Sequence, residues 1–179
     1  MSELSFALST VALALYSFSY FFNSKKAYLI FQLSGNFFLS ASYLLIGSYF
    51  TTVAVVIGIA RGLVCYLYEK HNKKVPLYWI VALCLASISS YIVINTVILS
   101  TASVWDFLYL FASCMYSVTF AIRNLKVMRC AVLFPHTAAV AYNLLIHAPI
   151  SSAISYGIEL LVTVGAIIKY DVIKSRRRD

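Results

Sequence analysis

The chain has 179 residues, of which 62% are hydrophobic and 11% are charged, and its formal net charge is +8. Its mean hydropathy of +0.87 leaves too little polar surface for a soluble domain of 20.0 kDa, so the composition indicates a polytopic membrane protein. A positive charge is also typical of nucleic-acid-binding proteins. Here the basic residues cluster where anionic lipid headgroups would lie, so we expect the lipid bilayer as partner and no nucleic acid.

Seven apolar segments follow one another along almost the whole chain. Each is long enough to cross ~30 Å of hydrocarbon as a helix. They predict transmembrane helices at 4–22, 28–49, 51–68, 77–99, 103–121, 130–147 and 150–170. The first segment follows Glu3 instead of a basic stretch and has no clear cleavage site, so we expect a retained helix and not a removed signal peptide.

Thirteen of the fourteen Lys and Arg residues lie in alternate connections between these segments or near the carboxyl end, at Lys169 and in the tail that follows Tyr170. The other set of connections contains no basic residue. Because basic loops stay in the cytoplasm, this asymmetry predicts an amino terminus outside the cell and a carboxyl terminus inside it.

A shift of one hundred residues places the first three segments on the last three. Identical pairs include Tyr16 and Tyr116, Lys26 and Lys126, Leu33 and Leu133, and Ala41 and Ala141. Since three helices are an odd number, a fourth is needed to keep the second copy parallel to the first. The sequence therefore predicts an all-α protein with a repeat at 1–70, a linker helix within 71–102, a second repeat at 103–171 and a basic tail at 172–179.

Polar and small residues form matching stripes on the second and sixth segments. Asn36 and Tyr43 lie on one face of the second, and His136 and Asn143 occupy the same register on the sixth. Together with the repeat pair formed by Tyr16 and Tyr116, these side chains are candidates to line a solute cavity between the two halves. The alternative is that they only pack the helices together through hydrogen bonds.

Two opposite charges are expected near the middle of the membrane. Arg61 lies ~16 Å along the third segment and Glu159 ~15 Å along the seventh at the helical rise per residue. Because an unpartnered charge is costly in hydrocarbon, we expect the two to form an ion pair. That pair would be either a structural clamp between the halves or part of a gate or substrate site. The alternative is a separate partner for each charge, including snorkelling or a neutral Glu159.

Two residues that weaken helices, Gly35 and Pro135, also occupy equivalent positions when the chain is shifted by one hundred residues. They predict either a hinge for opening and closing or a static bend. Asp106, beside Trp105, is interpreted as an interfacial anchor.

No catalytic, metal or cofactor motif is evident. The four cysteines have no CxxC spacing and are interpreted as packing residues, and no loop is long enough to hold an active-site domain. We therefore expect a protein that is not an enzyme.

Several short stretches carry a family resemblance: Phe21–Asn23, Leu44–Tyr49, Ile59–Val64, Met128–Cys130 and Tyr142–Asn143. They resemble the YgjV-type bacterial inner membrane proteins, which are usually grouped with the PQ-loop and SWEET-like transporters. The resemblance implies an inner membrane location, three-plus-one-plus-three helices and transport of a small solute. It also places Arg61 within a family stretch. The chain lacks the Pro-Gln pair that names the superfamily, so the resemblance does not extend to a sugar substrate.

The sequence thus predicts a small-solute transporter, a facilitator with alternating access for a polar or zwitterionic solute bound near the midplane. A membrane receptor or interaction subunit of the same fold is the alternative.

Overall fold

The computed structural model describes residues 3–47, 49–94, 104–145 and 150–173, without the side chains of 49–51, 143, 150–155 and 171–173. Within these ranges the chain forms seven α-helices and no β-strand, which confirms the predicted all-α class. The helices are α1 (Glu3–Ser19), α2 (Lys25–Leu45), α3 (Tyr49–Lys70), α4 (Leu77–Tyr91), α5 (Asp106–Ala121), α6 (Leu125–Leu145) and α7 (Ile150–Ala166), and α7 continues into a π-helical segment, Ile167–Ile173.

Each predicted span corresponds to one helix, but the helices differ in their capacity to cross a membrane. Among the described residues, Thr52–Lys70 and Leu77–Ile94 are long and apolar enough to do so. The apolar helices α1 and α5 have 17 and 16 residues, which is shorter than the ~20 that a span usually needs. In α2 and α6 the length suffices, but polar and charged side chains lower the hydropathy. Crossing by the other five helices stays a prediction.

The second helix of the second repeat starts earlier than expected. The segment predicted at 130–147 is α6, and it begins at Leu125. Asn124 explains the difference, because its side-chain oxygen accepts hydrogen bonds from the backbone N–H groups of Lys126 (3.0 Å) and Val127 (3.4 Å) and so caps the helix. As a result α2 and α6 cover equivalent residues under the shift of one hundred.

The helices pack in two groups that meet through their outer members. In the first group α2 packs against α1 and α3, and in the second α6 packs against α5 and α7. The groups touch where α1 meets α7 and where α3 meets α5, while α4 packs on α3 and α5. The third helix of each group therefore meets the first helix of the other.

The exterior of the described bundle is apolar and much of its interior is polar. Large apolar side chains that are more than half exposed occur on six different helices, for example Phe6, Phe37, Leu85, Phe107, Phe134 and Leu161. Ionisable side chains, in contrast, are buried on α3, α5, α6 and α7. This distribution is the reverse of a soluble domain and fits a protein whose surface faces lipid.

One end of the bundle is held by basic side chains. Lys25 in the first turn of α2 forms an ion pair of 3.4 Å with Glu69 near the end of α3. Arg129 in the second turn of α6 donates a hydrogen bond of 2.5 Å to the carbonyl of Phe22, just after α1. Both cations were predicted to lie in solvated loops. They are instead buried within helices, where they join neighbouring helix ends.

The opposite end is held by hydroxyl groups and one carboxylate. The hydroxyl of Ser5 in α1 lies 2.9 Å from that of Ser42 in α2. Asp106 at the start of α5 accepts hydrogen bonds from Tyr91 at the end of α4 (2.9 Å) and from Tyr142 in α6 (3.0 Å). The interpretation of Asp106 as an interfacial anchor was wrong, because the side chain is buried and connects three helices.

Candidate functional site

The centre of the bundle contains a cluster of polar side chains, which we call the central cluster: Tyr16, Tyr20, Asn36, Tyr43, Arg61, Tyr109, Tyr116, His136, Tyr156 and Glu159. The cluster draws on both halves of the chain. Seven of the eight side chains predicted to bind solute belong to it, and the eighth, Asn143, has its side chain outside the described residues.

Arg61 on α3 reaches across to α5 in the other half. Its Nη1 donates a hydrogen bond of 3.3 Å to the backbone carbonyl of Ser113. Its guanidinium lies over two aromatic rings, 5.2 Å from the centroid of Tyr116 and 5.1 Å from that of Phe120. The faces of aromatic rings carry negative potential, so these contacts partly compensate a buried positive charge.

His136 on α6 uses both ring nitrogens, and one of them joins the two halves. The hydroxyl of Tyr20, at the end of α1, lies 2.6 Å from Nε2, and the hydroxyl of Tyr116, in the same half as His136, lies 2.7 Å from Nδ1. A neutral imidazole has one donor and one acceptor nitrogen, so one tyrosine donates to the ring and the other accepts from it. The side chain is almost fully buried.

Glu159 on α7 faces His136 and does not pair with Arg61. The carboxylate oxygen lies 3.7 Å from Nδ1 of His136. Among the described side chains no ion pair within 4.0 Å joins Glu159 to Arg61, so the expected direct pair was wrong. The two charges are connected indirectly, because Tyr116 stacks under the guanidinium and also binds the imidazole.

A second layer of tyrosines surrounds these charges. Tyr16, Tyr116 and Tyr156 all lie within electrostatic range of both Arg61 and Glu159. The sequence analysis had not assigned Tyr156 to the site, although it lies on the same segment three residues before Glu159, on the same face of a helix.

Tyr43 and Tyr109 complete the cluster. Each lies near Tyr156, and Tyr43 also lies near Glu159. The ring of Tyr109 packs against that of Tyr142, with centroids 5.4 Å apart.

The repeat reappears in the hydrogen bonds of the cluster. Tyr16 donates to the side-chain oxygen of Asn36 over 3.1 Å, and the equivalent residues one hundred positions later are Tyr116 and His136, 2.7 Å apart. Each of these bonds joins the first helix of a half to its second helix. The two halves therefore build the site with the same local geometry and different side-chain chemistry.

Gly35 and Pro135, the predicted hinge positions, have distinct surroundings. A Cβ atom at Gly35 would lie 2.6 Å from Cε1 of Tyr16, so glycine is required there for α1 and α2 to approach. Pro135 is buried inside α6, and the helix continues through it to Leu145. A role in opening and closing stays a prediction for both residues.

Among the described residues no group of three or more His, Cys, Asp or Glu side chains is placed to hold a metal ion. A surface depression of about 230 Å³ lies away from the cluster at the end of α3, lined by Leu67, Tyr68, His71 and Lys73.

A family model described as bacterial inner membrane protein, Imp-YgjV, matches residues 3–172. No curated protein and no solved structure matched the chain. The family match covers nearly all of the chain and agrees with the apolar exterior. The chain belongs to the YgjV family of bacterial inner membrane proteins.

Proposed function

We propose that this protein transports a small polar solute across the inner membrane, with the solute bound in the central cluster between the two halves. The observation that carries the proposal is the burial of Arg61, His136 and Glu159 inside a bundle with an apolar exterior. Charged and titratable groups at membrane depth are costly, and in membrane proteins they mark solute, ion or proton pathways. A bundle held together only by packing would need none of them.

The proposed architecture is two parallel three-helix halves joined by α4. The contacts at the bundle ends support it. Ser5 and Asp106, near the starts of α1 and α5, belong to the end that also holds Ser42 and Tyr142, near the ends of α2 and α6. At the other end Arg129, near the start of α6, meets Phe22, just after α1. This placement supports the proposal that corresponding helices run in the same direction. The basic end would face the cytoplasm by the positive-inside rule.

Alternating access follows from this arrangement. The two halves meet along α1 with α7 and along α3 with α5, so a small rotation of one half against the other would open the cluster to one side and close it to the other. Gly35 and Pro135 are the positions we assign to the bending that such a rotation needs. The hydrogen bond of Arg129 to the carbonyl of Phe22 joins the two halves at the basic end of the bundle and would form the closure there.

The test is a ligand-stabilisation screen of the purified protein against amino acids, vitamins, nucleosides and sugars, followed by uptake of any hit into proteoliposomes. A ligand that binds only the native state raises its melting temperature. Asn36→Leu should abolish both stabilisation and uptake, because the cluster loses a hydrogen-bonding side chain and Tyr16 loses its acceptor.

Ser40→Ala on the same helix is the matched control. The hydroxyl of Ser40 bonds to the carbonyl of Phe37 within its own helix, so its loss should leave uptake unchanged. Equal loss of folding and of uptake in Asn36→Leu would instead mark Asn36 as a packing residue. A receptor or interaction subunit of the same fold predicts that no solute stabilises the protein and none enters the vesicles, and that result would overturn the transport proposal.

A further inference from the structure

Arg61 is the buried cation of the central cluster, and only part of its hydrogen-bonding capacity is used. The side chain is 9% exposed, and its Nη1 is occupied by the carbonyl of Ser113. Its Nε is buried and has no hydrogen-bond partner among the described residues. In a guanidinium group, Nε–H and Nη2–H point to the same side and form one edge. That edge carries two parallel donors, and the structure shows no protein acceptor on it.

Among the described residues no carboxylate pairs with this edge. The buried carboxylate of the central cluster, Glu159, lies beside His136. The aromatic rings beside Arg61 contact the faces of its guanidinium plane, and such contacts leave the N–H edges available. A positive charge with an open edge is therefore held inside the bundle, where leaving it unpaired is unfavourable.

A glycine lets Asn36 and Arg61 approach the same point of α3. A Cβ atom at Gly58, one helical turn before Arg61 on α3, would lie 3.5 Å from Nη2 of Arg61 and 3.0 Å from the side-chain oxygen of Asn36. The second distance is shorter than an ordinary contact, so any larger residue at this position would push against Asn36. The absence of a side chain thus keeps Asn36 and Nη2 of Arg61 close to each other.

We propose that the solute bound in the central cluster carries a carboxylate, and that the Nε and Nη2 edge of Arg61 holds it as a two-pronged pair beside Asn36. Planar carboxylates match the spacing of the two guanidinium donors. One open cation balances one negative charge, which favours a monocarboxylate over a phosphate dianion. The side-chain oxygen of Asn36 accepts a hydrogen bond from Tyr16, and its second lone pair can accept one from a neighbouring polar group of the solute.

The inference rests on the proposed transport function and narrows its substrate to carboxylic acids, including zwitterionic ones. The test uses the full-length protein purified in detergent and pairs of compounds that differ only in the acid group: propionate with propionamide, lactate with lactamide, and alanine with alaninamide. Sodium chloride at equal ionic strength and inorganic phosphate serve as controls. The readout is the melting temperature as a function of ligand concentration, which gives an apparent Kd.

At least one acid should stabilise the protein while its amide does not. Arg61→Gln should weaken that binding by about 30-fold or more, since it removes one partner of a buried charge pair. Gly58→Ala should weaken binding of the acid by about 5-fold or more, because the added methyl group would crowd Asn36 and Nη2 of Arg61. Gly165→Ala on α7 is the matched control, because a Cβ there meets nothing within 4 Å, and its binding should equal that of the wild type.

The proposal is overturned if no acid in the set stabilises the protein, if an acid and its amide stabilise equally, or if phosphate alone does so. It is also overturned if Gly58→Ala binds the acid as the wild type does, which keeps the test valid should Arg61→Gln fail to fold. Uptake into proteoliposomes separates this inference from the transport proposal. If an acid stabilises the protein but is not taken up, the transport proposal is rejected and the carboxylate site is retained. If the wild type and Arg61→Gln take up neutral solutes equally well, the transport proposal is retained and the carboxylate site is rejected.

Discussion

Replacing His136 with leucine tests whether the imidazole holds the two halves together. The substitution keeps a side chain of similar size but removes the imidazole to which the hydroxyl groups of Tyr20 and Tyr116 are hydrogen-bonded. Both hydroxyl groups then lose that partner inside the bundle. Hydrogen bonds between membrane helices contribute about 0.6 kcal/mol on average and up to about 1.7 kcal/mol. Two such bonds give a loss of about 1 to 3 kcal/mol. For a chain of this size the melting temperature should fall by about 2 to 12 °C.

The assay is thermal unfolding of the purified variants in one detergent. The triple variant His136→Leu, Tyr20→Phe, Tyr116→Phe should recover part of the loss, because it also removes the stranded hydroxyl groups. Thr137→Val is the control. Its hydroxyl bonds to the carbonyl of Leu133 in its own helix and faces outward, so its loss should change stability by less than about 0.5 kcal/mol. A triple variant no more stable than His136→Leu would refute the reasoning.

Four further outcomes follow from the contacts. Gly35→Ala should lower stability by about 1 to 3 kcal/mol through its clash with the ring of Tyr16, and adding Tyr16→Leu should restore part of it; thermal unfolding checks both. Arg61→Gln and Glu159→Gln should each lower stability, and the double variant should be no more stable than the less stable single variant, because no direct ion pair joins the two residues; a double variant more stable than that would indicate a direct pair. Asp106→Leu should lower the melting temperature more than Asp106→Asn does, since leucine removes the acceptor of two tyrosine hydroxyls and asparagine keeps one oxygen. A periplasm-dependent phosphatase fused to the carboxyl terminus should be silent, and strong activity would reverse the topology.

The helices and the pairing of equivalent residues could be predicted because they follow from local patterns. Apolar length places each helix, and the shift of one hundred residues identifies which side chains occupy the same place in each half. The pair formed by Tyr16 and Asn36 and the pair formed by Tyr116 and His136 follow from that register. The helix starts were less accurate, because a cap such as Asn124 adds a polar first turn that hydropathy does not detect.

The partners of the buried charges could not be predicted from depth. Arg61 and Glu159 lie at similar distances along their helices, but depth does not fix the direction in which a side chain leaves its helix. His136 occupies the place beside Glu159, and the ring of Tyr116 occupies the place beside Arg61. The burial of Asp106 likewise depends on tyrosines that come from two other helix ends, a contact that only the packed bundle reveals.

Alternating access to the central cluster is the central claim, and thiol accessibility tests it without knowledge of the solute. A single cysteine is placed at Asn36 in a variant whose four native cysteines are replaced by serine or alanine, and the protein is reconstituted in vesicles. The reagent is a charged, membrane-impermeant methanethiosulfonate added from one side at a time, and Ala12→Cys, at a fully buried position, is the unreactive control. We predict that the cysteine at position 36 reacts from either side while the one at position 12 reacts from neither. Reaction at position 36 from one side only, or from neither side, would contradict alternating access.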